Sequence, residues 1–338
     1  TGEAAVRVIG QPDFTSSSEN QGGAPGLQTM GSAYGAPALY NNSLYVPDSS
    51  NNRILGFTQG IPQQNGEAAT FVIGQDSDSA SASGTGAGSF YQPAAMLIHK
   101  GKLLVADWKN NRVLIWNQVP TAGTADADLV LGQADMNAKL TDCSASGMSA
   151  PVGLAIFGDK LLVSDLGNDR ILVWEGWPVS NGQAADAVIG QDDLVSCGQD
   201  RGEVAVNGRG FNAPAFLWSD GQRLAVPDIA NNRVLIWNSW PGTGADMRAA
   251  DRVLGQQDLQ SNGHATSSTG MYGPEAVTFD GKRLFVSDSS NNRVLIWDQF
   301  PATNGVAASV VIGQPDFDTA AWPAAGPASF DYPGQVAS

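Results

Sequence analysis

The sequence predicts an all-β fold, a ring of four-stranded sheets: a six-bladed β-propeller with an incomplete sixth blade, the alternative being a five-bladed ring. Three periodic marks predict it. The strings LYVPDSSNNRILGF, LLVADWKNNRVLIW, LLVSDLGNDRILVW, LAVPDIANNRVLIW and LFVSDSSNNRVLIW end at Phe57, Trp116, Trp174, Trp237 and Trp297. Their aspartates Asp48, Asp107, Asp165, Asp228 and Asp288 are spaced by 59, 58, 63 and 60 residues. A Gly-Gln pair recurs at Gly10, Gly74, Gly132, Gly190, Gly255 and Gly313, and a proline opens an apolar run at Pro37, Pro93, Pro151, Pro214, Pro274 and Pro333.

Each unit reads as four strands, a to d. Strand a follows the proline, as in Glu275 to Phe279, and the turn Asp280-Gly281 is a strong hairpin signal. Strand b, Arg283 to Ser287, alternates and ends at Asp288. Strand c, Arg293 to Trp297, is apolar and β-branched, as a strand buried on both faces should be. Strand d, Ser309 to Ile312, stops at Gly313. No helical period interrupts the pattern. The tryptophans ending strand c, with Phe57 in the first unit, read as core between blades. So do the bulky residues three before the prolines: Tyr34, Phe90, Met148, Phe211, Met271 and Phe330.

Proline-opened strands with a D-x-x-N-x-R-V turn and V-[IL]-G-Q-x-D resemble NHL repeats of the secreted bacterial kind. The resemblance covers nearly the whole chain. It implies a six-bladed propeller used mostly for binding, with a minority of enzymes. One domain, 1–338, is expected, with units at about 10–73, 74–131, 132–189, 190–254 and 255–312, and a partial unit 313–338 joined by 3–9. In that partial unit a lone d strand, Val6 to Ile9, would meet a lone a strand, Pro333 to Ser338, without the b–c pair between them. Unpaired edges of that sort are normally avoided. Three readings follow: the chain continues past Ser338, a partner chain donates the hairpin and builds assemblies, or five blades close alone. The first is preferred.

Composition narrows the function classes. Lys plus Arg is 18 against 33 acidic residues, a net charge of −15, which repels nucleic-acid backbones and argues against them as partners. No run reaches the roughly 18 apolar residues of a membrane span. Cys143 and Cys197 fall in d–a loops of adjacent units and are expected to form a disulfide, which places the protein outside the reducing cytoplasm: secreted, periplasmic or at the cell surface.

The d–a loops are long and share a face with the b–c turns, so that face is the expected binding surface. It is acidic, with Asp13, Asp135, Asp193, Asp258 and Asp316 after the Gly-Gln pairs. A feature repeated in every blade should serve the blade. Asp48, Asp107, Asp165, Asp228 and Asp288, with Arg53, Arg112, Arg170, Arg233 and Arg293, are therefore read as structural turn residues. Function is sought where the repeat breaks. Trp108 and Lys109 replace small turn residues, Asp169 replaces an Asn, and Glu275 is the only charge just after an opening proline. That last position should line a central channel otherwise walled by small apolar groups.

Catalysis is left open but disfavoured. Calcium-dependent hydrolases on six-bladed scaffolds need several inward carboxylates, and only Glu275 is available. Zinc needs three or four converging ligands, whereas His99 and His264 are expected on opposite faces. No nucleophile has a His partner in register. The expectation is a non-enzymatic binding or assembly scaffold contacting protein or glycan, with self-assembly through the open sixth blade. A metal-dependent lyase or hydrolase on the same face is the alternative. No cofactor is expected, Ca2+ being left open.

Overall fold

The computed structural model describes residues 4–123, 125–322, 324–330 and 332–334. Five antiparallel four-stranded sheets make up the fold. Blade I holds β1 (Ala38–Tyr40), β2 (Ser43–Asp48), β3 (Arg53–Phe57) and β4 (Phe71–Ile73). Blade II holds β5 (Pro93–His99), β6 (Lys102–Asp107), β7 (Arg112–Trp116) and β8 (Leu129–Leu131). Blade III holds β9 (Pro151–Phe157), β10 (Lys160–Asp165), β11 (Arg170–Trp174) and β12 (Ala187–Ile189). Blade IV holds β13 (Trp218–Ser219), β14 (Leu224–Asp228), β15 (Arg233–Trp237) and β16 (Arg252–Leu254). Blade V holds β17 (Pro274–Phe279), β18 (Leu284–Asp288), β19 (Arg293–Trp297) and β20 (Val310–Ile312). In every blade the strands lie side by side in chain order, and the first strands of successive blades meet around the centre.

The second and third strands carry the core. Leu103 to Ala106 and Val113 to Ile115 are fully buried, because both faces of each sheet pack against neighbouring sheets. Trp116, Trp174, Trp237 and Trp297 are buried between blades, and each indole N–H donates to a carbonyl of the following loop. Such burial of a large ring adds roughly 2–3 kcal/mol apiece. Gly74 shows why the Gly-Gln pair needs its glycine. Its φ is +95°, and a Cβ there would stand 2.2 Å from the Phe90 ring.

The blade count corrects the six-bladed expectation. Five complete blades are evenly spaced in a ring, with no incomplete sixth. Val6 to Ile9 forms no strand, since no second and third strands exist beside it to supply a ladder. The expected strand 333–338 falls largely outside the described residues, at 335–338. The terminal segments meet instead, Ala5 N donating to Pro327 O at 2.8 Å, and the C-terminal one docks on blade V, where Ser289 Oγ donates to Pro333 O at 2.6 Å. Assembly through an open sixth blade thereby loses its basis.

Candidate binding site on the loop face

The b–c turn is built the same way five times. After the aspartate, a 3-10 turn ends on a left-handed residue with φ of 52–54°, where Asn and Asp are tolerated. In blade II, Asp107 Oδ2 accepts from Asn110 Nδ2 and from Arg112 Nε, both at 2.8 Å. Arg112 then donates to Met136 O in one d–a loop and to Gly86 O and Ser89 O in the preceding one. The pairs Asp48–Arg53, Asp165–Arg170, Asp228–Arg233 and Asp288–Arg293 repeat this at 2.7–2.8 Å, with both side chains fully buried. Each guanidinium spends four of its five N–H donors on one carboxylate and three loop carbonyls, and its side chain has no exposed surface. That chemistry fixes loops and keeps the group away from a ligand.

The left-handed residue joins blades. Asn52, Asn111, Asp169, Asn232 and Asn292 each accept through Oδ1 from the N–H before the next opening proline (Gln92, Ala150, Ala213, Gly273 and Tyr332) at 2.7–3.0 Å. The four asparagines also donate through Nδ2 to a d–a loop carbonyl. Asp169 has no such donor. Burial, with the nearby charges of Asp228, Asp200 and Asp165, pushes its carboxyl up to about 6. Asp169 thus belongs to the joint between blades III and IV, apart from the other repeat-breaking residues.

Those others come together at the centre. Tyr34, from the loop before blade I, stacks on Trp108 of blade II at 5.3 Å and meets Phe216 of blade IV edge-on at 5.2 Å. Lys109 Nζ sits 3.8 Å from the centre of the Trp108 ring, a cation–π contact. Burial pushes the Tyr34 phenol up, and the charge of Glu275 of blade V adds to it. A side chain touched from blades II and IV lies near the axis, where a Cβ on Gly334 would stand 3.8 Å from the Tyr34 ring and 3.9 Å from Glu275 Oε2. Tyr34 and Phe216 pack there with the buried small residues Ala94, Val152 and Ala215.

Glu275 is 3% exposed, and its Oε2 has no hydrogen-bond partner among the described residues. Burial pushes its carboxyl up to about 7, with the Tyr332 hydroxyl pulling the other way. Tyr332 in turn is pushed up to about 12 by burial and by Glu275. Around this carboxyl, the exposed aspartates after the Gly-Gln pairs close Asx turns. Asp13 Oδ1 accepts from the Thr15 hydroxyl and from Thr15 N and Ser16 N, which together hold its carboxyl low. The loop face thus combines an acidic rim with a central aromatic group carrying one ammonium and one buried carboxyl.

Two residues here escape a reading by repeat. Tyr34 was expected to pack like Phe90 and Phe211, but Met30 occupies that place against Gly10 and frees Tyr34 for the axis. The extra length of the first d–a loop was the available signal. Cys143 and Cys197 are disulfide-bonded and tie the loops on either side of blade III. His264 stacks on Tyr272 in a loop, while His99 ends β5 beside the a–b turn, so the two histidines do not meet. Among the described residues no group of three or more His, Cys, Asp or Glu converges on a metal position.

The sequence matches no protein-family model and no curated protein. Among solved structures it is similar to a streptogramin B lyase at 11% identity, covering 86% of this chain and 67% of that one with a TM-score of 0.44. A putative 6-phosphogluconolactonase from Bacteroides fragilis is similar at 14% identity, with coverages of 84% and 72% and a TM-score of 0.46. A nidogen/laminin complex is similar at 15% identity, with coverages of 77% and 72% and a TM-score of 0.41. The strand order itself defines the class: an all-β propeller with four-stranded blades. No helix of the described residues is long and apolar enough to cross a membrane.

Proposed function

We propose that this propeller is a non-enzymatic, extracytoplasmic binding scaffold of the NHL type, holding a protein or glycan partner on its loop face over the axis. One observation carries the reading. Trp108 of blade II, with Lys109 against its ring, stacks on Tyr34 beside Phe216 of blade IV, and the buried Glu275 carboxyl of blade V acts on the same phenol. A rigid frame presenting a central aromatic–cation group is the usual form of a recognition hot spot. The Asp–Arg pair repeated in five turns supports the NHL assignment, and the disulfide supports an oxidising compartment.

The test is a paired screen of wild type and Trp108→Ala on glycan and peptide arrays, with thermal melts as a folding control. At least one ligand class should bind wild type and weaken about tenfold or more in the variant. Identical binding profiles for the two folded proteins would remove the axis from the binding surface.

A further inference from the structure

The opposite face, where the a–b hairpins emerge, has its own break in the pattern. Three residues after the last tryptophan of the third strand, an aromatic side chain caps the neighbouring blade's hairpin in three places. Trp240 lies against Phe157 at 5.0 Å with Lys160 over its ring. Phe300 lies against Trp218 at 6.1 Å and Phe279 at 5.2 Å, with Arg223 4.0 Å from its centre. Between blades II and III the aromatic is Trp177, but the residue placed like Phe157 is His99, 6.2 Å away. The smaller ring leaves the joint unfilled. A cleft of ≈ 230 Å³ opens there, lined by His99, Lys100, Lys102, Ile156, Asp159 and Trp177 among others.

Its chemistry is unusual for so acidic a chain. The a–b turns of blades III to V each contain an aspartate (Asp159, Asp220, Asp280), paired with the turn's own arginine in blades IV and V, whereas the blade II turn reads His99-Lys100-Gly101-Lys102 with no acid. Lys102 Nζ donates to Asn117 Oδ1 and lies 5.5 Å from the Trp177 ring centre. Lys100 has only Asp159 of blade III, at 3.7 Å with both side chains largely exposed, a spacing that contributes little. Trp177 Nε1 is buried without an acceptor. Burial and the Lys100 charge lower the His99 pKa, so near neutrality its ring both donates and accepts hydrogen bonds.

We propose that this cleft binds the hexuronic acid unit of an acidic glycan, with the sugar ring against Trp177 and its carboxylate on Lys100 and Lys102. His99 and Asp159 are the polar groups left to take ring hydroxyls. An aromatic wall, paired ammonium groups and one carboxylate match a ring with an apolar face, one negative charge and several hydroxyls. The volume suits one ring, so the glycan's remaining units would lie along the surface. The site is on the face away from the axis and stands independently of the loop-face reading.

The experiment is titration of the intact protein with D-glucuronate, D-glucose and inorganic sulfate, followed by indole N–H resonances and calorimetry. Glucuronate should saturate and shift the Trp177 signal, and glucose should bind at least about tenfold more weakly. Lys102→Gln should weaken glucuronate about tenfold at unchanged melting temperature, and Trp108→Ala should leave it unchanged. Equal binding of glucose, displacement by equimolar sulfate, or wild-type affinity in Lys102→Gln would each overturn the proposal. Trp177→Phe should remove the shifted indole signal, and a signal that persists would overturn the proposal. If that variant fails to fold, the Lys102→Gln arm decides it.

Discussion

At the residue scale, Asp169 shows how one changed atom alters a joint. It keeps the acceptor that Asn52, Asn111, Asn232 and Asn292 offer to the next blade, and loses their second function as donors. Its carboxyl sits at about 6 against an ordinary 3.8, through burial and the charges of Asp228, Asp200 and Asp165. A raised carboxylate pKa means the folded state binds its proton more tightly than the unfolded chain. Its ionisation therefore costs stability as pH rises from 3.8 to about 6, and that cost persists above. Asp169→Asn is expected to stabilise the protein at neutral pH by about 1 kcal/mol, one regained neutral hydrogen bond. It should also flatten the pH dependence across that window. Urea midpoints on either side of the window check both; a lower midpoint for the variant at neutral pH would contradict the account.

At the element scale, the loop after blade III has a second fastening. In the other blades the asparagine amide ties the d–a loop 28 to 30 residues downstream, at Ser81, Lys139, Asn262 and Ala321. The same offset from Asp169 reaches Cys197 and Gly198, where the disulfide to Cys143 holds the chain. The covalent tie stands where the amide tie is missing. Cys143→Ser with Cys197→Ser should cost about 2–4 kcal/mol in denaturant unfolding. The loss should be smaller when Asp169→Asn is also present, because the amide then shares the task. Strict additivity of the two changes would separate the fastenings.

Most of each blade could be read in advance, because its limits are set by residues with one local job. Glu275 to Phe279, Arg293 to Trp297 and the turn at Asp280 agree with the strands to within a residue or two. The blade count was harder. Val6 to Ile9 has the local pattern of a fourth strand, but pairing is decided by neighbours and not by pattern. The axial group was half legible: Trp108, Lys109 and Glu275 stand out as exceptions, whereas Tyr34 is hidden by Met30 taking its place in the repeat. Trp177 lies outside the repeated string, and only its recurrence as Trp240 and Phe300 marks it.

At the scale of the whole molecule, the charges divide into two populations. Five arginines and five aspartates are locked in the turns with no exposed surface. They cancel one another, so the net charge of −15 comes from the remaining 13 cations and 28 anions, most of which, among the described residues, are not buried (Glu275 and Asp200 are). Dissolved ions cannot reach the inner pairs, whose attraction is hardly screened, but they do damp repulsion among the outer acids. Sodium chloride should therefore raise the melting temperature from low to high ionic strength, and a fall would show that outer attractions dominate instead. The frame keeps its electrostatics dry, and a propeller so arranged is firmer in brine than in fresh water.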